Sequence, residues 1–221
     1  MVISPTLVRD IDNCREAVVC IDSVWDRLVY DHRPYLDPFD ESFSAKNTDD
    51  YRRRYACFKY AVAKVLRPRT IVEIGVGSGV SALAFLHARP TARYIGLDTG
   101  EWSARLGKPF LETVRAKLSA LQFDFEILEG DSQLIDTMPE CDLVHIDGNH
   151  SSEAVYHDLL SAWNSGAKWI LCDDACDPAV GAGIFRALQV GLDRGSVDWA
   201  YFGDTWSGDI LIRTDHQKES Q

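Results

Sequence analysis

From Ile71 to Arg213 the chain alternates short apolar runs with segments of helix length, and this alternation constrains the fold more than any other feature. The runs are Ile71–Ile74, Tyr94–Leu97, Phe123–Leu128, Leu143–Ile146 and Trp169–Cys172. Each is apolar and bounded by turn residues, as strands buried on both faces are. Strands that alternate with helices build βαβ units, with helices covering both faces of a parallel sheet. Near the end, Val197–Phe202 and Asp209–Arg213 flank a stretch from Gly203 to Gly208, which reads as a hairpin closing the sheet antiparallel. The expected fold is a Rossmann-like, doubly wound α/β sheet of seven mostly parallel strands with a C-terminal antiparallel hairpin, preceded by N-terminal helices.

The 221 residues suit one well-buried core rather than two full domains. Val8, Ile11, Val18, Ile21, Trp25 and Leu28 fall at helical spacing, so residues 6–30 read as an amphipathic helix. His32 to Asp50 carries Pro, Asp, Ser and Asn and reads as a loop. A second helix should start near Asp49 or Asp50 and stop before Pro68. The expected division is thus residues 1–50 as an N-terminal helix and loop able to serve as a lid, residues 51–215 as the main domain and residues 216–221 as a flexible tail.

One turn carries a ligand signal. Ile71 to Ser81 reads as a strand, a Gly75-x-Gly77-x-Gly79 turn and a helix beginning near Val80. Glycines there let the chain turn sharply and let a ligand approach the backbone. Asp98 follows Gly79 by 19 positions at the next strand end, where a carboxylate can accept hydrogen bonds from ribose hydroxyls. A dinucleotide fingerprint would need glycine where Val80 stands, which argues against a nicotinamide oxidoreductase.

A second constellation sits at the ends of the fourth and fifth runs, His145-Ile-Asp147-Gly-Asn149-His150 and Leu171-Cys-Asp173-Asp174. If those strands are neighbours they lie ~4.8 Å apart. Three carboxylates brought together repel one another unless a cation or protons compensate. Mg²⁺, a hard ion that keeps open positions for substrate, suits Asp147, Asp173 and Asp174. It would lower the pKa of a substrate hydroxyl. His150, three residues after Asp147, is placed to take that proton as general base, with Asp147 beside it. A metal-free site using His150 alone is the alternative. His145 lies inside an apolar run and reads as a core histidine.

Glu73-x-Gly75-x-Gly77-x-Gly79 resembles the first motif of class I S-adenosylmethionine-dependent methyltransferases, and Asp98 resembles their ribose-binding acid. Gly130-Asp131-Ser132 is similar to their adenine-holding segment. The resemblance implies a cofactor set of Glu73, Gly75, Gly77, Gly79, Ser81, Asp98, Asp131, Ser132 and Asp147, with Glu73 supporting the loop near the methionine part. Ile146-Asp147-Gly-Asn-His150 followed by Asp173-Asp174 is similar to metal-dependent O-methyltransferases, including the macrocin- and mycinamicin-type sugar enzymes. This second likeness covers residues 55–213. It implies S-adenosylmethionine and Mg²⁺ or another divalent ion as cofactors, metal ligation by Asp147, Asp173 and Asp174, and His150 as base.

The implied activity is methyl transfer to a hydroxyl of a small molecule, a natural-product sugar or phenol. A non-catalytic S-adenosylmethionine-binding protein is the reading from another class, and it gives His150 and the carboxylates no purpose. The aromatic residues Tyr35, Phe39, Trp102, Tyr201 and Trp206 are candidates for an acceptor pocket, foremost Trp102 in the expected loop Thr99–Lys108 just after Asp98, with packing the stronger expectation.

The formal net charge of −11 argues against a nucleic-acid backbone or an anionic membrane surface as partner. No apolar run approaches membrane-spanning length, the first residues lack a basic and an apolar signal region, and the six cysteines show no CxxC pair. The expectation is a cytoplasmic protein with reduced thiols and a small-molecule substrate, with a homodimer as the default assembly.

Overall fold

In the computed structural model of this chain the described residues are 13, 49–193, 197–203, 205 and 207–214. Apart from residue 13, the helix expected over 6–30 and the loop over 32–48 lie outside them, as do Tyr35, Phe39, Trp206 and the tail. The expected helix before the sheet is α1, Asp49–Leu66. It ends ahead of Pro68, whose ring disfavours helical backbone at the residue before it.

The strands are β1 (Thr70–Ile74), β2 (Arg93–Asp98), β3 (Asp124–Glu129), β4 (Leu143–Ile146), β5 (Trp169–Cys172), β6 (Val197–Phe202) and β7 (Asp209–Thr214). They form one sheet in the order β3-β2-β1-β4-β5-β7-β6. The first five run parallel, and β7 pairs antiparallel with both β5 and β6. Each expected strand is found within one or two residues of its limits. Phe123 is the exception at a strand start, because its N–H donates to Leu118 O and so closes the preceding helix.

Between the strands lie α2 (Val80–Ala88), α3 (Glu101–Leu106), α4 (Phe110–Ala120), α5 (Ser152–Asn164) and α6 (Pro178–Asp193). The segment Thr99–Lys108, expected to be a loop, contains α3, which is bracketed by Gly100 (φ 73°) and Gly107 (φ 63°) in left-handed conformation. Left-handed glycines end a helix at little steric cost, which lets six residues form one here.

Alternate side chains of each strand point to opposite faces. Ile71, Leu143 and Leu171 join Phe58, Leu83, Phe85 and Leu118 in a core on one face. Val72, Val144 and Ile170 join Leu159, Ile184 and Leu188 on the other. Helices α1 and α2 pack together over the first face, and α5 and α6 over the second. Strand order reverses between β1 and β4, so the crevice for a ligand opens at their carboxyl ends. Among the described residues no helix is long and apolar enough to cross a membrane.

Candidate active site at the strand switch

The glycine turn is built against the fourth strand. Gly75 sits at φ 86° with its N–H donating to Leu97 O (2.8 Å), and a Cβ added there would lie 2.0 Å from the carbonyl oxygen of Asp147. Only glycine allows that approach. The glycine turn and the acidic end of β4 are therefore one piece of backbone packing. Gly79, at φ 76°, opens α2 against Val114.

Asp98 holds this turn in shape. One carboxylate oxygen accepts from Gly77 N (2.9 Å) and the other from Gly100 N (2.7 Å). Trp102 stacks on Phe110 with ring centroids 4.8 Å apart and lies over Gly77. It therefore packs at the glycine turn. Asp131 caps the short 3-10 turn Ser132–Leu134 by accepting from Gln133 N, and Ser132 beside it is buried.

Glu73 and Ser81 face inward. Glu73 is fully buried and accepts from the Ser81 and Tyr94 hydroxyls, while His145 Nδ1 lies 2.7 Å from its carboxylate. This hub ties β1, β2, β4 and α2 together directly beneath the turn. His145 is buried as expected, but its Nε2 has no hydrogen-bond partner. Burial works against the charged imidazole, yet the bond to Glu73 wins and raises its pKa.

The acidic strand ends do meet, because β4 and β5 are neighbours in register His145↔Leu171 and Ile146↔Cys172. They meet in two layers. Asp147, His150 and Asp174 form the outer one, with His150 Nε2 at 3.2 Å from Asp174 Oδ2 and 3.7 Å from Asp147 Oδ1. The His150 side chain is 49% exposed. Asp174 has φ 56°, a left-handed conformation that aspartate tolerates better than most residues and that turns its carboxylate back towards His150.

Asp173 forms the inner layer. It is buried, accepts from Asp174 N (2.8 Å) and Ser207 Oγ (3.1 Å), and lies 3.2 Å from Lys59 Nζ. Lys59, fully buried in α1, also meets Asp209 Oδ1 at 2.5 Å. One turn earlier on the same helix, the Tyr55 hydroxyl donates to Asp147 Oδ2 (2.7 Å), and the Lys59 ammonium lies 4.4 Å from the Tyr55 ring centroid. A small, partly open cleft beside these residues is lined by Asp147, Asn149, His150 and Asp173, among others.

Charges in this cluster perturb one another. Burial opposes ionised Asp173, but Lys59 prevails and holds its carboxyl below the ordinary value. Burial and the Asp173 charge push Asp147 up. Asp209 is pushed up to about 7 by burial, against the pull of Lys59. Burial likewise works against the Lys59 ammonium, and the two carboxylates overcome it. Contact with Asp147, then the charge of Asp174, raises His150 to about 9 against partial burial.

The sequence reading missed Tyr55, Lys59, Ser207 and Asp209. One signal was present: Lys59 stands among apolar residues in Tyr55-Ala-Cys-Phe-Lys59-Tyr-Ala-Val, and a lysine on a core face needs a carboxylate partner.

A seven-stranded sheet in this order, with the glycine turn at the strand switch, is the Rossmann-like methyltransferase fold. Residues 72–175, just under half of the chain, match the family described as "Methyltransferase domain". No curated protein sequence matches the chain. Among solved structures it resembles the Podospora anserina methyltransferase PaMTH1 bound to S-adenosylhomocysteine (SAH), at 20% identity over 97% of this chain and 99% of that one, TM-score 0.57. It also resembles the O-methyltransferase TomG of Streptomyces achromogenes, involved in tomaymycin synthesis and complexed with S-adenosylmethionine (SAM), at 18% identity over 87% and 90%, TM-score 0.55. An O-methyltransferase from Bacillus cereus in complex with SAH matches at 15% identity over 87% and 91%, TM-score 0.56.

Proposed function

We propose that this chain is a SAM-dependent O-methyltransferase acting on a hydroxyl of a small molecule, a natural-product sugar or phenol, assisted by a divalent cation and with His150 as general base. The observation that carries the reading is the contact between the Gly75 turn and the Asp147 backbone. It sets the donor loop directly beside the carboxylate and imidazole set of Asp147, His150 and Asp174. Solved proteins of the same fold with SAH or SAM bound support the choice of methyl donor.

The donor set suits a hard divalent ion. Asp147, Asp173, Asp174 and Asp209 bring four carboxylates, which Lys59 and His150 contact as counter-charges. Asp147 and Asp174 are more exposed than Asp173, and a cation bound between them would lower the pKa of the acceptor hydroxyl. SAM supplies an electrophilic methyl group on a sulfonium sulfur. The protein's own work is placement. Gly75 and Gly77 would let the donor approach the backbone, Asp98 fixes the turn and would bond the ribose through its remaining lone pairs, and Asp131 and Ser132 would hold the adenine. Asp147 and Asp174 would hold the cation that binds the acceptor oxygen, and His150 Nε2 would take the hydroxyl proton. Holding both reactants in line accounts for most of the rate in a transfer of this kind.

The test is calorimetric titration with SAH in Mg²⁺ and again after EDTA, followed by turnover on a library of hydroxylated compounds. Micromolar SAH binding with EDTA-sensitive turnover is expected. No SAH binding in either condition removes the reading. Turnover that EDTA does not touch favours a metal-independent enzyme using His150 alone, a version supported by the ammonium already standing among the carboxylates.

A further inference from the structure

We propose that Lys59 is a positioning residue that acts as a resident cation, withholding Asp173 from the divalent ion so that the ion is held by Asp147 and Asp174 alone. The inference rests on the cation-assisted reading above and changes the ligand set that the sequence suggested.

Three observations carry it. Lys59 is fully buried, and its ammonium is shared between Asp173 (3.2 Å) and Asp209 (2.5 Å). The remaining capacity of Asp173 is also used: Oδ2 faces Lys59, while Oδ1 accepts from the Asp174 amide and the Ser207 hydroxyl. Asp147 and Asp174 are each about a quarter exposed, with side-chain exposures of 21% and 26%, whereas Asp173 is 2% exposed. A divalent ion arriving from solvent meets the more exposed Asp147 and Asp174 before Asp173. To reach Asp173 it would have to come close to a buried ammonium, and two cations in a low-dielectric interior repel strongly. A lysine in this place makes the outer site weaker and more open than three free carboxylates would be. An ion held by two protein ligands keeps more positions for the acceptor oxygens.

Asp209 shows that the arrangement belongs to Lys59. It comes from the antiparallel hairpin, and its second oxygen is buried without a partner. The ammonium thus joins α1 to the end of β5 and to β7.

Mn²⁺ serves as the probe, with binding to the full chain read by calorimetry and by electron paramagnetic resonance of the free ion, independently of turnover. Lys59→Met should tighten Mn²⁺ binding about tenfold or more, because it frees Asp173 and removes a like charge. Lys59→Arg keeps the charge and should stay near wild type. Asp173→Asn in the wild-type background should change the Mn²⁺ affinity by less than about threefold, whereas Asp147→Asn and Asp174→Asn should each weaken it about tenfold or more. The double variant with Lys59→Met and Asp173→Asn should fall back to wild-type affinity.

An Asp173→Asn loss as large as that of Asp147→Asn overturns the assignment, as does a Lys59→Met protein with unchanged affinity. If Lys59→Met fails to fold, the Asp173→Asn comparison decides alone. A wild-type protein that binds neither SAH nor Mn²⁺ sinks the function proposed above. The Lys59 assignment then stands only if Lys59→Met gains a Mn²⁺ site, and falls if it does not.

Discussion

The Tyr55 hydroxyl donates to Asp147 Oδ2 at 2.7 Å, joining residues 92 positions apart. The bond fixes one oxygen of the carboxylate and leaves Oδ1 on the His150 side. Tyr55→Phe removes the donor with little change in shape. A hydrogen bond to a charged group contributes about 1.5–3 kcal/mol, so kcat should fall roughly tenfold while SAH affinity holds. Steady-state kinetics beside calorimetry checks this. Equal loss of both would mean that Tyr55 serves the donor loop instead.

His150→Ala should lower kcat ~100-fold and leave the Kd for SAH at its wild-type value, as loss of a general base does. A parallel loss of SAH binding would place His150 in the donor pocket.

The same residue predicts a pH dependence. With EDTA present, the imidazole should titrate near 9 rather than at the ordinary histidine value of 6.5. The sign follows from the raised folded value: the charged imidazole stabilises the fold fully below 6.5, and that contribution fades as pH rises through 9. NMR of the ring proton, assigned through His150→Gln, gives the midpoint. Adding Mg²⁺ should lower it, because a cation at Asp147 and Asp174 replaces the charge that holds the proton. A midpoint unmoved by saturating Mg²⁺ would separate the imidazole from the cation site.

Asp98→Ala removes acceptors from two amide donors, Gly77 N and Gly100 N. The turn loses its fixed shape, and SAM affinity should drop about tenfold or more, with kcat at saturation much less affected. Unchanged affinity would show that the turn holds itself.

Gly75→Ala is the severest single change expected. Its Cβ would stand 2.0 Å from the Asp147 carbonyl oxygen, on backbone at φ 86°. The loss should reach about 4 kcal/mol or more, among the largest that single substitutions cause. Thermal unfolding measures it, and a wild-type Tm would mean that β1 and β4 part easily.

What the sequence made legible follows from the range of the forces involved. Strand β4, Leu143–Ile146, and strand β5, Trp169–Cys172, are read to the residue because a run buried on both faces must be apolar throughout. The glycine turn is legible because steric demand acts locally. Asp147 and Asp173 were assigned to one cation cluster from strand adjacency alone, and adjacency does not reveal what lies behind a strand. Lys59 reaches Asp173 from a helix that precedes the sheet, so no spacing within the motif encodes it. Ser81 has the same character: its place in the glycine motif gives its position, but the burial of Glu73 decides that its hydroxyl points inward. The short helix Glu101–Leu106 was missed because flanking glycines read equally well as a loop.

The hub at Glu73 and the ammonium at Lys59 have a consequence for how this domain can be divided. The family match spans 72–175, yet Tyr55, Lys59, Ser207 and Asp209 all lie beyond it on either side. A graft of that segment onto a related scaffold would carry the donor turn intact and deliver the acidic strand ends without their counter-charge. Modularity in this protein therefore stops at the sheet. The half that carries the glycine turn is portable, while the acidic half is an agreement between a helix, a hairpin and two strands that only the longer chain contains.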